Sequence, residues 1–86
     1  MKPQIIMYST ATCPYCERAR DLLKQKNVVF TEIRVDQHPE KRVEMQTKSQ
    51  RHTVPQIFID DHHVGGCDDL YALEAAGHLD ELLQQG

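Results

Sequence analysis

The sequence has no marked excess of charge of either sign. Its 86 residues include 10 basic and 13 acidic side chains, which gives a net charge of −3 with neutral histidines. Proteins that bind nucleic acids or anionic membrane surfaces typically carry a basic surplus. We therefore expect neither a nucleic acid nor a membrane as a partner. The length predicts one small domain spanning residues 1–86.

The sequence also lacks a long apolar segment. A membrane-spanning helix needs about 20 consecutive apolar residues, and the apolar run that follows the first four residues is far shorter. That run is also too short for the apolar part of a secretory signal peptide. We therefore expect the protein to be cytoplasmic.

Cysteine is scarce, and its odd count of three argues against a disulfide framework. Structural zinc usually takes four ligands, commonly as two closely spaced pairs. Only Cys13 and Cys16 form such a pair, and Cys67 stands alone. We therefore expect no metal site. The five histidines look like surface residues: His38, His52, His62, His63 and His78.

The Cys13-Pro14-Tyr15-Cys16 stretch predicts a reactive dithiol at the start of a helix. Proline is favoured at the first helical position, which would leave Cys13 at the helix N-terminus and Cys16 one turn inside. Unpaired backbone N–H groups and the helix dipole favour a thiolate there. In a reducing compartment such a pair is typical of redox chemistry rather than of a structural disulfide. We expect Cys13 to attack as the nucleophile and Cys16 to resolve.

The hydrophobic pattern predicts an α/β domain. Apolar and β-branched runs indicate four strands, at residues 4–9, 28–35, 56–59 and 62–64. Helices are predicted from Cys13 to about Asn27, from Pro39 onward, and from Cys67 to Gly77, followed by a last amphipathic turn. The order β-α-β-α-β-β-α predicts a split βαβ unit and a hairpin, which together form a mixed four-stranded sheet with helices on both faces.

The second predicted helix has a thin apolar face. Val43 and Met45 are its main apolar residues, and Asp36 or His38 is expected near its cap.

Three short segments match the motifs of one protein family in order and in spacing. They are Cys13-Pro14-Tyr15-Cys16, Thr53-Val54-Pro55 and Gly65-Gly66-Cys67-Asp68-Asp69. Through them the chain resembles the dithiol glutaredoxins over essentially its whole length, and it is most similar to the short bacterial glutaredoxin 3 type. The resemblance implies a thioredoxin-like fold. It also implies glutathione-dependent reduction of glutathione mixed disulfides and of protein disulfides.

The resemblance implies roles for the first two segments. Cys13 would be the nucleophile and Cys16 the resolving thiol of a redox-active disulfide, and Tyr15 would flank the sulfur of glutathione. In the Thr53-Val54-Pro55 segment, the Val54 backbone would pair with the cysteinyl part of glutathione. Pro55 would be cis, although from the residues alone it fits the start of an edge strand equally well.

The third segment and a cation would hold the two ends of glutathione. The backbone around Gly66 and Cys67, together with the Asp68 side chain, would hold the γ-glutamyl end, since a helix N-terminus suits a carboxylate and an acid suits an ammonium. The glycine carboxylate needs a cation, and Arg42 and Arg51 are the candidates. From the residues alone, Cys67 is a small helix-start residue.

The same resemblance implies how the protein would work with its partners. Glutathione would be a co-substrate without any bound cofactor, and the partners would be glutathione and disulfide-containing or glutathionylated proteins. A monomer is expected. One position departs from the pattern, because relatives commonly carry a lysine three residues before the first cysteine, where this chain has Thr10.

Two other functions remain open at this point. A thioredoxin-type electron donor reduced by a flavoenzyme is one, but the chain lacks a Trp-Cys-Gly-Pro-Cys motif. Carriage of an iron–sulfur cluster or zinc is the other, but the Cys-Gly-Phe-Ser motif common in cluster-bridging members is absent.

Overall fold

A computed structural model describes residues 3–84. Over this range the chain forms four strands and four helices: β1 (Ile5–Ser9), α1 (Pro14–Gln25), β2 (Thr31–Arg34), α2 (Pro39–Ser49), β3 (Gln56–Ile59), β4 (His62–Gly65), α3 (Cys67–Ala76) and α4 (Leu79–Gln84). The ends of the expected 1–86 domain lie outside the described residues. None of the helices within 3–84 combines the length and the apolar character that crossing a membrane requires.

The sheet has the strand order β2-β1-β3-β4. β1 pairs in parallel with β2 and antiparallel with β3, and β3 pairs antiparallel with β4. This arrangement is the predicted mixed sheet, with a βαβ unit followed by a hairpin. β1 and β4 consequently end at the same end of the sheet at which β3 begins. The loop after β1, the loop before β3 and the loop after β4 meet there.

Helices cover both faces of the sheet, as predicted. Alternate residues of a strand point to opposite faces, so that Met7 joins a core cluster with residues of α1, α3 and α4, while Tyr8 joins another with Met45 of α2. Phe58 packs edge-on against Tyr8, with ring centroids 5.9 Å apart. The two faces therefore have separate cores, and the larger one lies beneath α1 and α3.

β2 is shorter than the predicted 28–35 strand. Its pairing with β1 begins only at Thr31, which lies opposite Ile6. Val29 is 86% exposed, whereas Val28 and Phe30 pack partly buried against the core without joining the sheet. The prediction was wrong here because β-branched residues indicate where a strand is tolerated, not where its partner strand begins.

The second helix differs from its prediction in its apolar face, whereas its N-cap is one of the two expected residues. Met45 is fully buried, but Val43 is 62% exposed, so Val43 does not belong to the apolar face. The N-cap residue is His38, whose side chain makes no capping hydrogen bond. The Asp36 carboxylate instead accepts a hydrogen bond from the Ala11 N–H at 3.2 Å.

One histidine is less exposed than the sequence prediction of surface residues implies. His62 is exposed, but His63, on the opposite face of β4, is partly buried. The His63 ring stacks on Phe58 with centroids 4.8 Å apart and lies 2.7 Å from the Gln56 side-chain oxygen. Neighbouring strand residues alternate between faces, so one member of a His-His pair in a hairpin is directed inward.

Candidate active site

Cys13 lies at the start of α1, as its spacing from Pro14 predicts. It is the N-cap residue, with an extended backbone at φ −114° and ψ 110°, and Pro14 is the first helical residue. The Cys16 N–H donates to the Cys13 sulfur at 3.3 Å. One of the free N–H groups of the helix N-terminus is therefore directed at this sulfur, which favours its negatively charged form.

Cys16 has a different environment one turn later. It is fully buried, and burial, together with the neighbouring Cys13, raises the pKa of Cys16 to about 12. Both cysteines are free thiols in this structure. Cys13 is only partly buried, so an incoming disulfide reaches Cys13 before Cys16.

The loop before β3 brings a second segment to the cysteines. The Val54–Pro55 peptide bond is cis, as the resemblance implies. The Cys13 thiol donates to the Val54 carbonyl oxygen at 3.8 Å. Pro55 does not begin an edge strand, because β3 lies between β1 and β4.

A cleft of about 380 Å³ opens beside the dithiol. It is lined by residues of α1, of the loop before β3, and of the start of α3: Tyr15, Arg51, Thr53, Val54, Pro55, Gly66, Cys67, Asp68 and Asp69. The fold therefore gathers most of the residues that the resemblance implies for glutathione around one opening. Tyr15, at this opening, is 54% exposed.

The two candidate arginines lie in different places. Arg51 lines the cleft, whereas Arg42 is a partly buried residue of α2 and is not among the lining residues. The Arg51 guanidinium pairs with the Asp69 carboxylate, with Nη1 and Oδ2 2.9 Å apart. Among the two, Arg51 has the position from which a cation can reach a ligand in the cleft.

Asp69 is a site residue that the sequence prediction placed at the start of α3 but did not include among the glutathione-binding residues. Its Oδ2 accepts the Gly66 N–H at 3.0 Å as well as the Arg51 guanidinium. The pKa of Asp69 is lowered, chiefly by the Arg51 interaction and then by the Gly66 hydrogen bond. An acidic residue at the third position of a helix is a known capping signal and could have identified this role. A side chain at Gly65 would collide with the Asp69 carboxylate, and the φ of +117° there also favours glycine.

Cys67 is the first residue of α3 and is buried within the larger core cluster. Burial, with a smaller contribution from Asp68, raises the pKa of Cys67. Its sulfur is therefore a weak nucleophile compared with an exposed thiolate. The sequence prediction of a small helix-start residue is confirmed.

The ion pair between Arg20 and Glu32 lies near the buried Cys16. Arg20, one turn after Cys16 in α1, donates through Nε to the Glu32 carboxylate at 2.9 Å. Ser9, fully buried at the end of β1, donates to the same carboxylate at 2.6 Å. These contacts lower the pKa of Glu32, chiefly through Arg20, and link α1 to the edge strand β2.

Comparison with known proteins places this arrangement in a family. The glutaredoxin family model matches residues 5–64. The chain is 57% identical to a glutaredoxin of Pseudomonas aeruginosa over 81 residues, which cover 94% of this chain and 96% of that protein. It is 58% identical to glutaredoxin 3 of Escherichia coli strain K12 over 78 residues, which cover 91% of this chain and 94% of that protein.

Solved structures agree with the sequence matches. The solution structure of a glutaredoxin from Brucella melitensis is 54% identical, with a TM-score of 0.85, and the match covers 96% of this chain and 90% of that one. A crystal structure of a buckwheat glutaredoxin–glutathione complex is 27% identical, with a TM-score of 0.87, and the match covers 94% of this chain and 76% of that one. The fold is thus thioredoxin-like, and the chain belongs to the glutaredoxin family of thiol–disulfide oxidoreductases.

Proposed function

We propose that this protein uses glutathione to reduce both glutathione mixed disulfides and protein disulfides through Cys13 and Cys16. The observation that carries the proposal is the position of the Cys13 sulfur. It lies at a helix N-terminus, 3.3 Å from the Cys16 N–H and 3.8 Å from the Val54 carbonyl, beside a cleft open to solvent. A nucleophilic sulfur therefore lies beside a cleft that suits a small peptide.

Glutathione mixed disulfides need only Cys13. Its thiolate attacks the glutathione sulfur, a bond forms between those two sulfurs, and the thiol of the substrate leaves as a thiolate that takes up a proton. A second glutathione thiolate then attacks the glutathione sulfur bound to Cys13. This step releases oxidised glutathione and restores the Cys13 thiolate.

Protein disulfides need both cysteines. Cys13 attacks one sulfur of the substrate and forms a mixed disulfide. Cys16 then loses its proton, attacks Cys13 and releases the substrate as a dithiol, which leaves a Cys13–Cys16 disulfide. Two glutathione molecules reduce that disulfide. Because burial raises the pKa of Cys16 to about 12, its proton must be removed within the mixed disulfide, which confines its reactivity to that step.

The cleft offers complementary groups along the length of glutathione. The Val54 backbone can pair with the cysteinyl unit in the manner of an added strand. The first N–H groups of α3, at Cys67 and Asp68, suit the γ-glutamyl carboxylate, and the exposed Asp68 side chain suits its ammonium. Arg51 keeps N–H donors beyond the one that holds Asp69, and these suit the glycine carboxylate. The buckwheat glutaredoxin solved as a complex with glutathione supports glutathione as the ligand.

The direct test is turnover of a glutathionylated small thiol, coupled to glutathione reductase, in the wild type and in Cys13→Ser. We expect turnover in the wild type and its loss in Cys13→Ser, because serine is far less nucleophilic. Asp61→Ser is the matched control, since Asp61 is exposed in the turn at the opposite end of the sheet. A wild type that turns over only with a flavoenzyme thioredoxin reductase would contradict the proposal.

A further inference from the structure

Gln56 is a buried polar residue whose amide is fully engaged. It is the first residue of β3 and has no exposed surface. Its amide nitrogen donates to the Thr53 carbonyl at 3.0 Å and lies 3.3 Å from the Thr53 hydroxyl. Its amide oxygen lies 2.7 Å from Nε2 of His63. The side chain thus connects β4 with the segment beside Cys13.

The Thr53 carbonyl fixes which way the Gln56 amide is turned, and the amide in turn fixes the role of His63. Because the amide nitrogen faces Thr53, the oxygen must face His63, so His63 donates from Nε2. Burial, as the leading cause, lowers the pKa of His63, which favours a neutral ring near pH 7. Stacking on Phe58 holds this ring in place. A reversed amide would direct its oxygen at the Thr53 carbonyl oxygen and leave both without a donor.

The orientation of the Thr53 carbonyl determines that of the next N–H. In a trans peptide the C=O and the following N–H point in opposite directions, and the cis bond comes one residue later, at Val54–Pro55. With the Thr53 carbonyl directed at buried Gln56, the Val54 N–H is directed away from Gln56, and Val54 itself lines the cleft. Within residues 3–84 this N–H makes no hydrogen bond.

We propose that Gln56 and His63 are positioning residues that hold the Val54 N–H ready for the cysteinyl unit of glutathione. The relay runs from the His63 ring through the Gln56 amide to the Thr53 carbonyl, and it determines the direction of the Val54 peptide. This inference rests on the proposed function, because it names what the relay prepares the site to bind. Neither side chain lines the cleft.

Two variants break the relay at different points. Gln56→Met keeps the length of the side chain but neither donates to Thr53 nor accepts from His63. His63→Phe keeps an aromatic ring on Phe58 but removes the donor. His63→Gln, which restores an N–H donor near the position of Nε2, is the rescue variant. His62→Phe is the matched control, since His62 is the exposed neighbour on the other face.

The experiment measures kcat and KM for a glutathionylated small thiol, and separately the rate at which iodoacetamide alkylates Cys13. In Gln56→Met and His63→Phe we expect KM to rise about tenfold, the effect of roughly one hydrogen bond. Both kcat and the alkylation rate should stay within about twofold, because the Val54 carbonyl that contacts Cys13 belongs to the next peptide unit and Cys16 still donates to the Cys13 sulfur. His63→Gln should recover most of the loss, and His62→Phe should match the wild type.

Three results would overturn the inference. The first is a KM within about twofold of the wild type in both folded variants, since one lost hydrogen bond corresponds to more. The second is a parallel fall of the alkylation rate, which indicates general disruption of the site. The third is an equal loss in His62→Phe. A wild type without any glutathione turnover would overturn the proposed function itself, so the two failures are distinguishable. If Gln56→Met does not fold, His63→Phe with its rescue variant decides the question.

Discussion

The two thiols of the dithiol differ because their surroundings differ. Cys13 is partly exposed and accepts the Cys16 N–H, whereas Cys16 is fully buried with a pKa of about 12. A thiolate is the attacking species in disulfide exchange. We therefore propose that Cys13 makes the first attack and that Cys16 reacts only once Cys13 has formed a mixed disulfide beside it.

Replacement of the buried thiol should separate two activities. In Cys16→Ser we expect reduction of glutathionylated small thiols to continue within about threefold of the wild type, because that cycle uses only Cys13. Reduction of a protein disulfide such as that of insulin should fall by at least about tenfold, because the resolving sulfur is missing. Turnover assays on both substrates measure the split.

Cys16→Ala is the companion variant, since it removes the thiol without burying a hydroxyl group. It should behave like Cys16→Ser on both substrates. Retention of protein-disulfide reduction in both variants would contradict the assigned roles.

Thr10 occupies the position at which the resemblance leads us to expect a lysine. In Thr10→Lys we expect a larger fraction of Cys13 thiolate at a given pH and an apparent KM for glutathione lowered about twofold to fivefold, as for an exposed ion pair. The ultraviolet absorbance of the thiolate and steady-state kinetics measure the two effects. Thr10→Met, of similar length and without charge, is the control. Identical thiolate titration curves for the two variants would show that the charge has no effect.

At the scale of elements, α1 matches its prediction most closely. Pro14 begins the helix, Cys13 caps it, and the chain leaves it through Lys26 and Asn27, the latter at a φ of +58°. These signals are local, since proline and left-handed positions determine helix ends through the backbone of a few residues. Such boundaries can be predicted from the sequence alone.

Strand and surface assignments that depend on a distant partner were less predictable. β2 starts only where β1 lies beside it, at Thr31, although the β-branched run begins at Val28. Val43 and Met45 of α2 are both apolar, yet only Met45 faces Tyr8 and Phe58 in the smaller core. Local sequence does not contain the position of the neighbouring element, so these features required the three-dimensional structure.

The contrast between the two apolar residues of α2 gives a stability prediction. Met45→Ala should lower the free energy of unfolding by about 2–5 kcal/mol, because it leaves a cavity in a closed core. Val43→Ala should change it by less than about 0.5 kcal/mol, since Val43 is 62% exposed. Urea unfolding followed by circular dichroism measures both. Equal losses in the two variants would mean that α2 is not oriented as described.

At the scale of the whole molecule, the sheet assembles the site from three distant segments. β1 ends beside the point where the antiparallel β3 begins, with Tyr8 opposite Gln56, and β4 ends beside β3, with Gly65 opposite Ile57. The loops that carry Cys13, Val54 and Gly66 therefore converge. Antiparallel pairing turns a sequence separation of some 40 residues into contact, as the Cys13–Val54 hydrogen bond across 41 positions demonstrates.

The motif residues of the site were predictable, but the groups that hold them were not. The dithiol, the cis proline and the cleft lining followed from the motifs and the resemblance. The choice between Arg42 and Arg51 could not be predicted from the sequence, because it depends on where α2 ends relative to α3. Nor could the relay through Gln56, since sequence alone does not reveal which side chain a buried amide meets.

The most direct test of the account is to locate the sulfur that accepts glutathione. Cys16→Ser, which cannot resolve, is incubated with oxidised glutathione and analysed by intact mass and peptide mapping. We predict a single glutathionyl group, attached to Cys13, because Cys67 is buried and its pKa is raised. A glutathionyl group on Cys67, or none on Cys13, would contradict the claim that Cys13 is the attacking thiol beside a glutathione site.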